Sequence, residues 1–232
     1  MNREEFVLEV GKLGIDLSEK QLLQLEKYYE LLVEWNEKIN LTAITDKEDV
    51  YLKHFYDSLT ITKVIDLNNI ESLCDIGTGA GFPGIVLKIA YPDLNITLVD
   101  ALNKRINFLN EVITNLILEN VTLVHARAEE YAKENRSKFD VVTARAVASL
   151  PVLLEYSLPI VKVNGCFIAY KGMEDISNSN NALNILNGKV EEKIEFKLPK
   201  EESERTLIKI KKLKEISNKY PRRFSEIKKK PL

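Results

Sequence analysis

The sequence predicts an α/β fold: a mostly parallel, doubly wound sheet of seven strands behind an N-terminal helical extension. Three observations carry this. From Leu73 onward, short β-rich runs alternate with helical windows. A glycine-rich turn joins the first such run to a helix. The first 65 residues have helical periodicity and no proline, the earliest being Pro83. A chain of 232 residues with 45 % apolar content suffices for one domain with an appendage and excludes wholesale disorder. The pattern changes divide it into an extension (1–65), a sheet domain (66–216) and a basic tail (217–232).

Each element has its own signature. Phe6, Val7, Val10 and Leu13 make a short amphipathic helix ended by Gly14. Ser18 and Gln21 form a capping box ahead of a stripe of Leu22, Leu25, Tyr29 and Leu32. The strand runs are Ser72–Ile76, Asn95–Val99, Val121–Val124, Phe139–Thr143, Cys166–Tyr170, Lys189–Lys197 and Thr206–Lys211. Helical windows at Pro83–Ala90, Asn103–Leu116, Ala128–Glu134 and Pro151–Pro159 separate the first five, as crossovers between parallel strands require. The polar connection Leu198–Arg205 makes the last two runs an antiparallel hairpin at the sheet edge. Ser177–Gly188, rich in Asn and Ser, reads as a loop or a weak helix. The tail holds little core material and is expected to be mobile.

Charge is unevenly spread. Arg205 to Leu232 carries 11 Lys/Arg and 2 Asp/Glu, a surplus of +9; the net −2 less this surplus leaves −11 on the first 204 residues. An acidic body with a basic tail points to a polyanionic partner. Two cysteines and two histidines cannot build a disulfide framework or a zinc or iron–sulfur cluster, so no metal site is expected. The charged N-terminus and the absence of an apolar run of roughly 20 residues lead us to expect a soluble, cytoplasmic chain with no membrane contact.

The most informative segment is Asp75-Ile76-Gly77-Thr78-Gly79-Ala80-Gly81-Phe82-Pro83-Gly84. A strand runs into three glycines and a helix opens at Pro83, a residue favoured at the first helical position. The next strand ends at Asp100, 23 residues after Gly77, where an acid can accept hydrogen bonds from ribose hydroxyls. Loop and acid together read as an adenosine-containing cofactor site. A dinucleotide fingerprint, G-x-G-x-x-G, would need glycine where Phe82 stands; an NAD site is therefore the minor alternative. G-x-G-x-G after an acid resembles the first motif of S-adenosylmethionine-dependent methyltransferases.

Several methyl-transfer chemistries are excluded. Attack through a cysteine adduct needs a thiol in the site, but Cys74 lies inside a strand and Cys166 at the start of another. The fourth strand is followed by Thr143-Ala144-Arg145-Ala146, without the acid-or-amide, two prolines and aromatic that serve exocyclic base amines. Radical chemistry would need three clustered cysteines. What remains is an acceptor that already has a lone pair, such as N7 of guanine, for which positioning matters more than a base.

Four segments then resemble the ribosomal small subunit methyltransferase G family across nearly the whole chain: Trp35-Asn36-Glu37-Lys38-Ile39-Asn40-Leu41-Thr42, Lys53-His54-Phe55-Tyr56-Asp57-Ser58-Leu59, the glycine segment, and Arg145-Ala146-Val147-Ala148-Ser149-Leu150. The resemblance implies a class I methyltransferase (Rossmann-like) fold. It implies S-adenosylmethionine as donor and N7 methylation of one guanine, position 527 in the 530 loop of 16S rRNA, within the small subunit or its assembly intermediate. By position it implies cofactor contacts at Gly77, Phe82, Asp100, Ala128, Glu129 and Arg145, and the glycine motif itself adds Asp75, Gly79 and Gly81 as candidate cofactor residues. The tail departs from the family pattern: Tyr220-Pro221-Arg222-Arg223 and Lys230-Pro231-Leu232 are kept, but Phe224-Ser225-Glu226-Ile227 lacks the usual glycine and proline.

Each residue also has a plainer role to weigh. Trp35 is expected in the core, and Asn36 and Asn40 are expected to brace the turn at Leu41-Thr42. A His54–Asp57 hydrogen bond fixing the extension to the sheet is favoured over catalysis. Glu129 is either a helix N-terminal charge or a ligand contact, and His125 is expected to be inert. Arg145 clamps a carboxylate or a phosphate. It and Lys171 are positioning candidates, and Lys171, Arg222, Arg223, Lys228, Lys229 and Lys230 are candidate RNA contacts. Donor binding is expected to be independent of the tail. A monomer is expected. A non-catalytic RNA-binding protein with a vestigial loop, or a small-molecule methyltransferase, are the alternatives.

Overall fold

The alternation of strands and helices becomes a seven-stranded sheet of order β3-β2-β1-β4-β5-β7-β6 in the computed structural model, which describes residues 1–145, 148–172, 176–202 and 204–232. The strands are β1 (Ser72–Ile76), β2 (Asn95–Asp100), β3 (Val121–His125), β4 (Phe139–Arg145), β5 (Val161–Lys171), β6 (Gly188–Lys197) and β7 (Glu204–Lys212). The first five pair in parallel, and β7 runs antiparallel to both β5 and β6. The edge hairpin is therefore present, with its second strand inserted inboard. The strand order reverses beside β1, the switch point at which ligands bind in such sheets.

The extension comprises α1 (Arg3–Lys12) and α2 (Glu19–Ile39), followed by α3 (Lys47–Val50), a π-helical stretch Tyr51–Tyr56 and α4 (Asp57–Leu59). The Ser18–Gln21 capping box is formed, and Gln21 also donates to the Ile89 and Ala90 carbonyls, at 2.8 and 3.1 Å. Leu22, Leu25, Tyr28, Leu31 and Leu32 are the buried face of α2; Tyr29 is only half-buried, because the stripe drifts to Tyr28 at this turn. Trp35 packs on Phe108, with ring centroids 5.8 Å apart. Asn36 Oδ1 accepts from the main chain of Leu41 and Thr42, at 2.6 and 2.8 Å, and so braces that turn. Asn40 ends α2 in the left-handed conformation instead.

Helices α5 (Gly84–Ala90) and α6 (Asn103–Leu116) share one apolar cluster with the extension, over one face of the sheet. Helices α7 (Ala128–Glu134), α8 (Leu150–Ser157) and α9 (Asn180–Ile185) cover the other face, so the Asn-rich segment does contain a helix. Cys74 and Cys166 are buried among apolar neighbours. Pro83 caps α5 rather than beginning it. Among the described residues, no helix is long and apolar enough to cross a membrane.

The tail is not a loose end. Pro221 and Ile227 are buried, and residues Phe224–Lys229 form a last helix, α10. The main-chain N–H, Nε and Nη2 of Arg222 all donate to the fully buried Glu155 carboxylate, at 2.8, 2.9 and 2.7 Å. Arg136 donates to the carbonyls of Ile216 and Tyr220. The expectation of a mobile tail fails because one buried acid and two apolar anchors tie it to α8 and the sheet domain.

Candidate functional site

A cavity of about 510 Å³ opens at the carboxyl ends of β1 to β4, within the size range of ligand pockets. Gly77–Ala80 form its floor and Asp100–Leu102 one wall; Ala126–Glu129 continue that wall. Leu41, Thr42, His54, Phe82 and Arg145 close the opposite side, and Phe224 of the tail stands at the rim beside Arg127.

Gly79 has φ +61°, a conformation that an L side chain adopts only with strain, and a Cβ built there would find no neighbour closer than the Gly77 carbonyl at 3.9 Å. The loop is therefore an open cradle. Gly79 N–H donates to Asp100 Oδ2 at 2.9 Å, Leu102 N–H donates to Oδ1 at 2.9 Å, and Arg105 Nη1 donates to Oδ2 at 3.2 Å. A carboxylate has about four lone-pair sites, so about one stays open, on Oδ1. A ligand offering two hydroxyls would find acceptors for both on Asp100 only with Arg105 swung aside. Open glycine cradle and pre-aimed acid fit the adenosine part of S-adenosylmethionine.

Asp75 and Gly81 shape the loop from behind and do not line the cavity. Asp75 accepts from Gly84 N–H at 3.0 Å and from the Thr143 hydroxyl at 3.3 Å, and burial pushes its carboxyl up to about 6. At Gly81 an added Cβ would meet Ile85 at 2.6 Å and the Tyr28 hydroxyl at 2.7 Å; glycine there lets α2 approach the loop, where Tyr28 donates to the Ala80 carbonyl. Ala128 and Glu129 line the wall, with Glu129 held by Arg127 at 2.8 Å.

The expected His54–Asp57 bond is not formed, because Arg145 stands between them. Arg145 Nη1 pairs with Asp57 at 2.9 Å and Nη2 meets His54 Nδ1 at 3.3 Å. A guanidinium only donates, so Nδ1 is the acceptor and Nε2 carries the hydrogen, which the ring donates to the Thr42 hydroxyl oxygen at 2.9 Å. Burial, with the Arg145 charge second, holds the His54 pKa down at about 3, so the ring is neutral at pH 7. Its face stacks on Phe82 with centroids 4.4 Å apart, and Arg145 lies over the same ring at 5.1 Å. Asp57 also pairs with Arg205 at 3.4 Å.

Other expected positions lie elsewhere. Lys171 ends β5 and donates to the Ala148 carbonyl at 2.6 Å, off the cavity wall. Arg222 is committed to Glu155, while Arg223, Lys228, Lys229 and Lys230 are exposed. Ala146 and Val147 lie outside the described residues. His125 is exposed and meets the Ala101 carbonyl at 3.1 Å.

The sequence model of the rRNA small subunit methyltransferase G family matches residues 21–208. The chain belongs to this family. It is 50 % identical to the ribosomal RNA small subunit methyltransferase G of Exiguobacterium sibiricum over the full length of both chains. It is 53 % identical to that of Bacillus cytotoxicus over 96 % of this chain and 95 % of the relative. Among solved structures, a precorrin-6y C5,15-methyltransferase from Geobacter metallireducens superposes with TM-score 0.53 at 18 % identity, covering 75 % of this chain and 93 % of that one. A 16S rRNA (adenine(1408)-N(1))-methyltransferase variant with cosubstrate from Catenulisporales acidiphilia gives 0.53 at 14 %, covering 63 % and 87 %. These two share the fold. The family member described here is an S-adenosylmethionine-dependent rRNA methyltransferase with the class I fold.

Leu102, Arg105, Arg127, Tyr156 and Phe224 are cavity residues that sequence reasoning missed. Arg105 and Arg127 sit within a few residues of the two motif positions Asp100 and Glu129, a signal that was available. Phe224 had a weaker one: a large apolar residue inside a basic run.

Proposed function

We propose that this chain methylates N7 of one guanine, position 527 in the 530 loop of 16S rRNA, acting in the cytoplasm as a monomer on the small subunit or a precursor of it. When bound, S-adenosylmethionine would supply an electrophilic methyl group on its sulfonium, the S–CH3 bond breaking to leave the neutral thioether S-adenosylhomocysteine as the N7–CH3 bond forms. Asp100 and the Gly77–Ala80 cradle orient the ribose, and Ala128 and Glu129 border the purine. Phe82, His54 and Arg145 form the wall on the target side.

The observation that supports this best is the lack of an available base among the described residues that line the cavity. His54 has one ring nitrogen taken as acceptor and the other as donor. Asp100 holds three protein donors, and Glu129 is paired with Arg127. Tyr156 is kept protonated by burial and by the nearby Glu129. Neither buried cysteine reaches the cavity, and burial raises both thiols. A site of this kind positions a nucleophile that needs no deprotonation, which N7 is.

The test is a substrate panel with methyl-labelled donor: small subunits lacking the modification, modified small subunits, large subunits and transfer RNA. Label should enter only the first. Label in transfer RNA or large subunits, or none anywhere, would contradict the assignment.

A further inference from the structure

The sequence sets the tail apart from the donor pocket, yet the fold carries Phe224 to the cavity rim. Its placement is determined on three sides. Arg222, two residues earlier, is fastened to Glu155 by three hydrogen bonds. Ile227, three residues later, is buried in the domain. The Arg127 guanidinium lies 4.1 Å from the centroid of the Phe224 ring, and Arg127 is itself held by Glu129 at 2.8 Å. Phe224 is 39 % exposed and lines the cavity, with Lys228 Nζ 6.0 Å from the ring centroid, farther than Arg127, while Ile227 faces inward.

The strand order says which end of the cavity this is. Asp100, the ribose acid, ends β2. On one side lie the ends of β1 and β4, with the Gly77–Ala80 cradle, Phe82 and Arg145; on the other lies the turn after β3, with Ala126–Glu129. On the proposed function, the methyl group faces a target between the extension and β4, where His54 and Arg145 meet. The amino-acid portion therefore lies on the β1 side of the ribose and the purine on the β3 side, next to Arg127 and Phe224.

We infer that Phe224 is a donor-binding residue: it forms the outer wall of the purine end, with Arg127 as its brace, so that the tail completes the donor pocket. This rests on the reading of the cavity as the S-adenosylmethionine site. An aromatic side chain covering a purine face is a recurrent way to bind adenine-like rings.

The experiment is calorimetric titration of the full-length protein with S-adenosylmethionine and with 5′-methylthioadenosine, which keeps purine and ribose but lacks the amino-acid end. Phe224→Ala should raise Kd for both by about tenfold, and by the same factor, as expected for loss of one aromatic–base contact. Phe224→Tyr, which keeps the ring, should stay within about twofold of wild type. A Phe224→Ala protein that binds both within twofold of wild type overturns the inference. So does a loss confined to S-adenosylmethionine, which would move the ring away from the purine, or an equal loss in Phe224→Tyr, which would make the role structural. Asp100→Ala serves as the reference: if it also binds like wild type, the cavity reading itself fails; if it loses affinity while Phe224→Ala does not, only the wall is wrong.

Discussion

Replacing Asp100 by alanine removes the acceptor on which the proposed donor cradle converges. Asp100 is 3 % exposed and receives Gly79 N–H, Leu102 N–H and Arg105, leaving about one acceptor site for a ribose hydroxyl. A hydrogen bond to a charged acceptor contributes about 1.5–3 kcal/mol. One such bond lost is one to two decades in affinity, since each 1.4 kcal/mol is about tenfold. The substitution also frees Gly79, whose left-handed conformation is held partly by that bond, so the cradle loses order as well as a contact. We expect Kd for S-adenosylmethionine to rise more than tenfold by titration calorimetry, with the far-UV spectrum unchanged. A folded Asp100→Ala protein with less than a twofold change would refute the reasoning and place the ribose contact elsewhere.

Three further outcomes follow from the same geometry. The neutral His54, with its pKa held near 3 against an ordinary 6.5, contributes stability that is fully present above pH 6.5 and lost as pH falls toward 3. The stability difference between wild type and His54→Gln should therefore shrink by up to about 1.4 kcal/mol per pH unit below pH 6.5, with the opposite contribution of Asp75 cancelling between the two; a difference that stays flat from pH 6.5 to 4.5 in urea titrations contradicts this. Replacing Lys228, Lys229 and Lys230 together by alanine should flatten the log–log salt dependence of small-subunit binding by about 2, at roughly 0.7 per lost phosphate contact, and an unchanged slope would leave these lysines as solvated charge. Arg222→Ala takes the charge partner and two of the three donors from the buried Glu155 carboxylate, leaving only the main-chain N–H, and should cost about 3 kcal/mol in chemical denaturation, where a loss below 1 kcal/mol would show that the tail anchor is dispensable.

The parts of this fold governed by local periodicity were legible in the chain. All seven strands and the Ser18–Gln21 box follow from alternation and capping chemistry, with the strand at Val161–Lys171 beginning earlier than its apolar stretch, since residues 162–165 are not buried and give no apolar signal. The cradle and Asp100 were legible because a strand–glycine–helix junction and a spaced acid are local facts. What the chain concealed are partnerships across long sequence distances. Arg145 meets His54 and Asp57 some ninety residues away, and nothing local says that it separates a pair one helical turn apart. Asp75 and Gly81 belong to the glycine motif by spacing, yet they act on α5 and α2 from behind the loop. The tail looked like a charge run because its two apolar anchors and its one buried ion pair are isolated residues without period. Donor affinity is accordingly not independent of residues 217–232 in our account, since Phe224 borders the cavity.

The most direct test of the central claim is to map the methylated atom. Small subunits lacking the modification are incubated with enzyme and donor, and the extracted 16S rRNA is reduced with borohydride and treated with aniline, which cuts the chain at N7-methylguanosine. The account predicts one new break, at guanine 527 of the 530 loop, present with wild type and strongly reduced with Asp100→Ala at limiting donor. Incorporated methyl without such a break, or a break at another guanine, would contradict it.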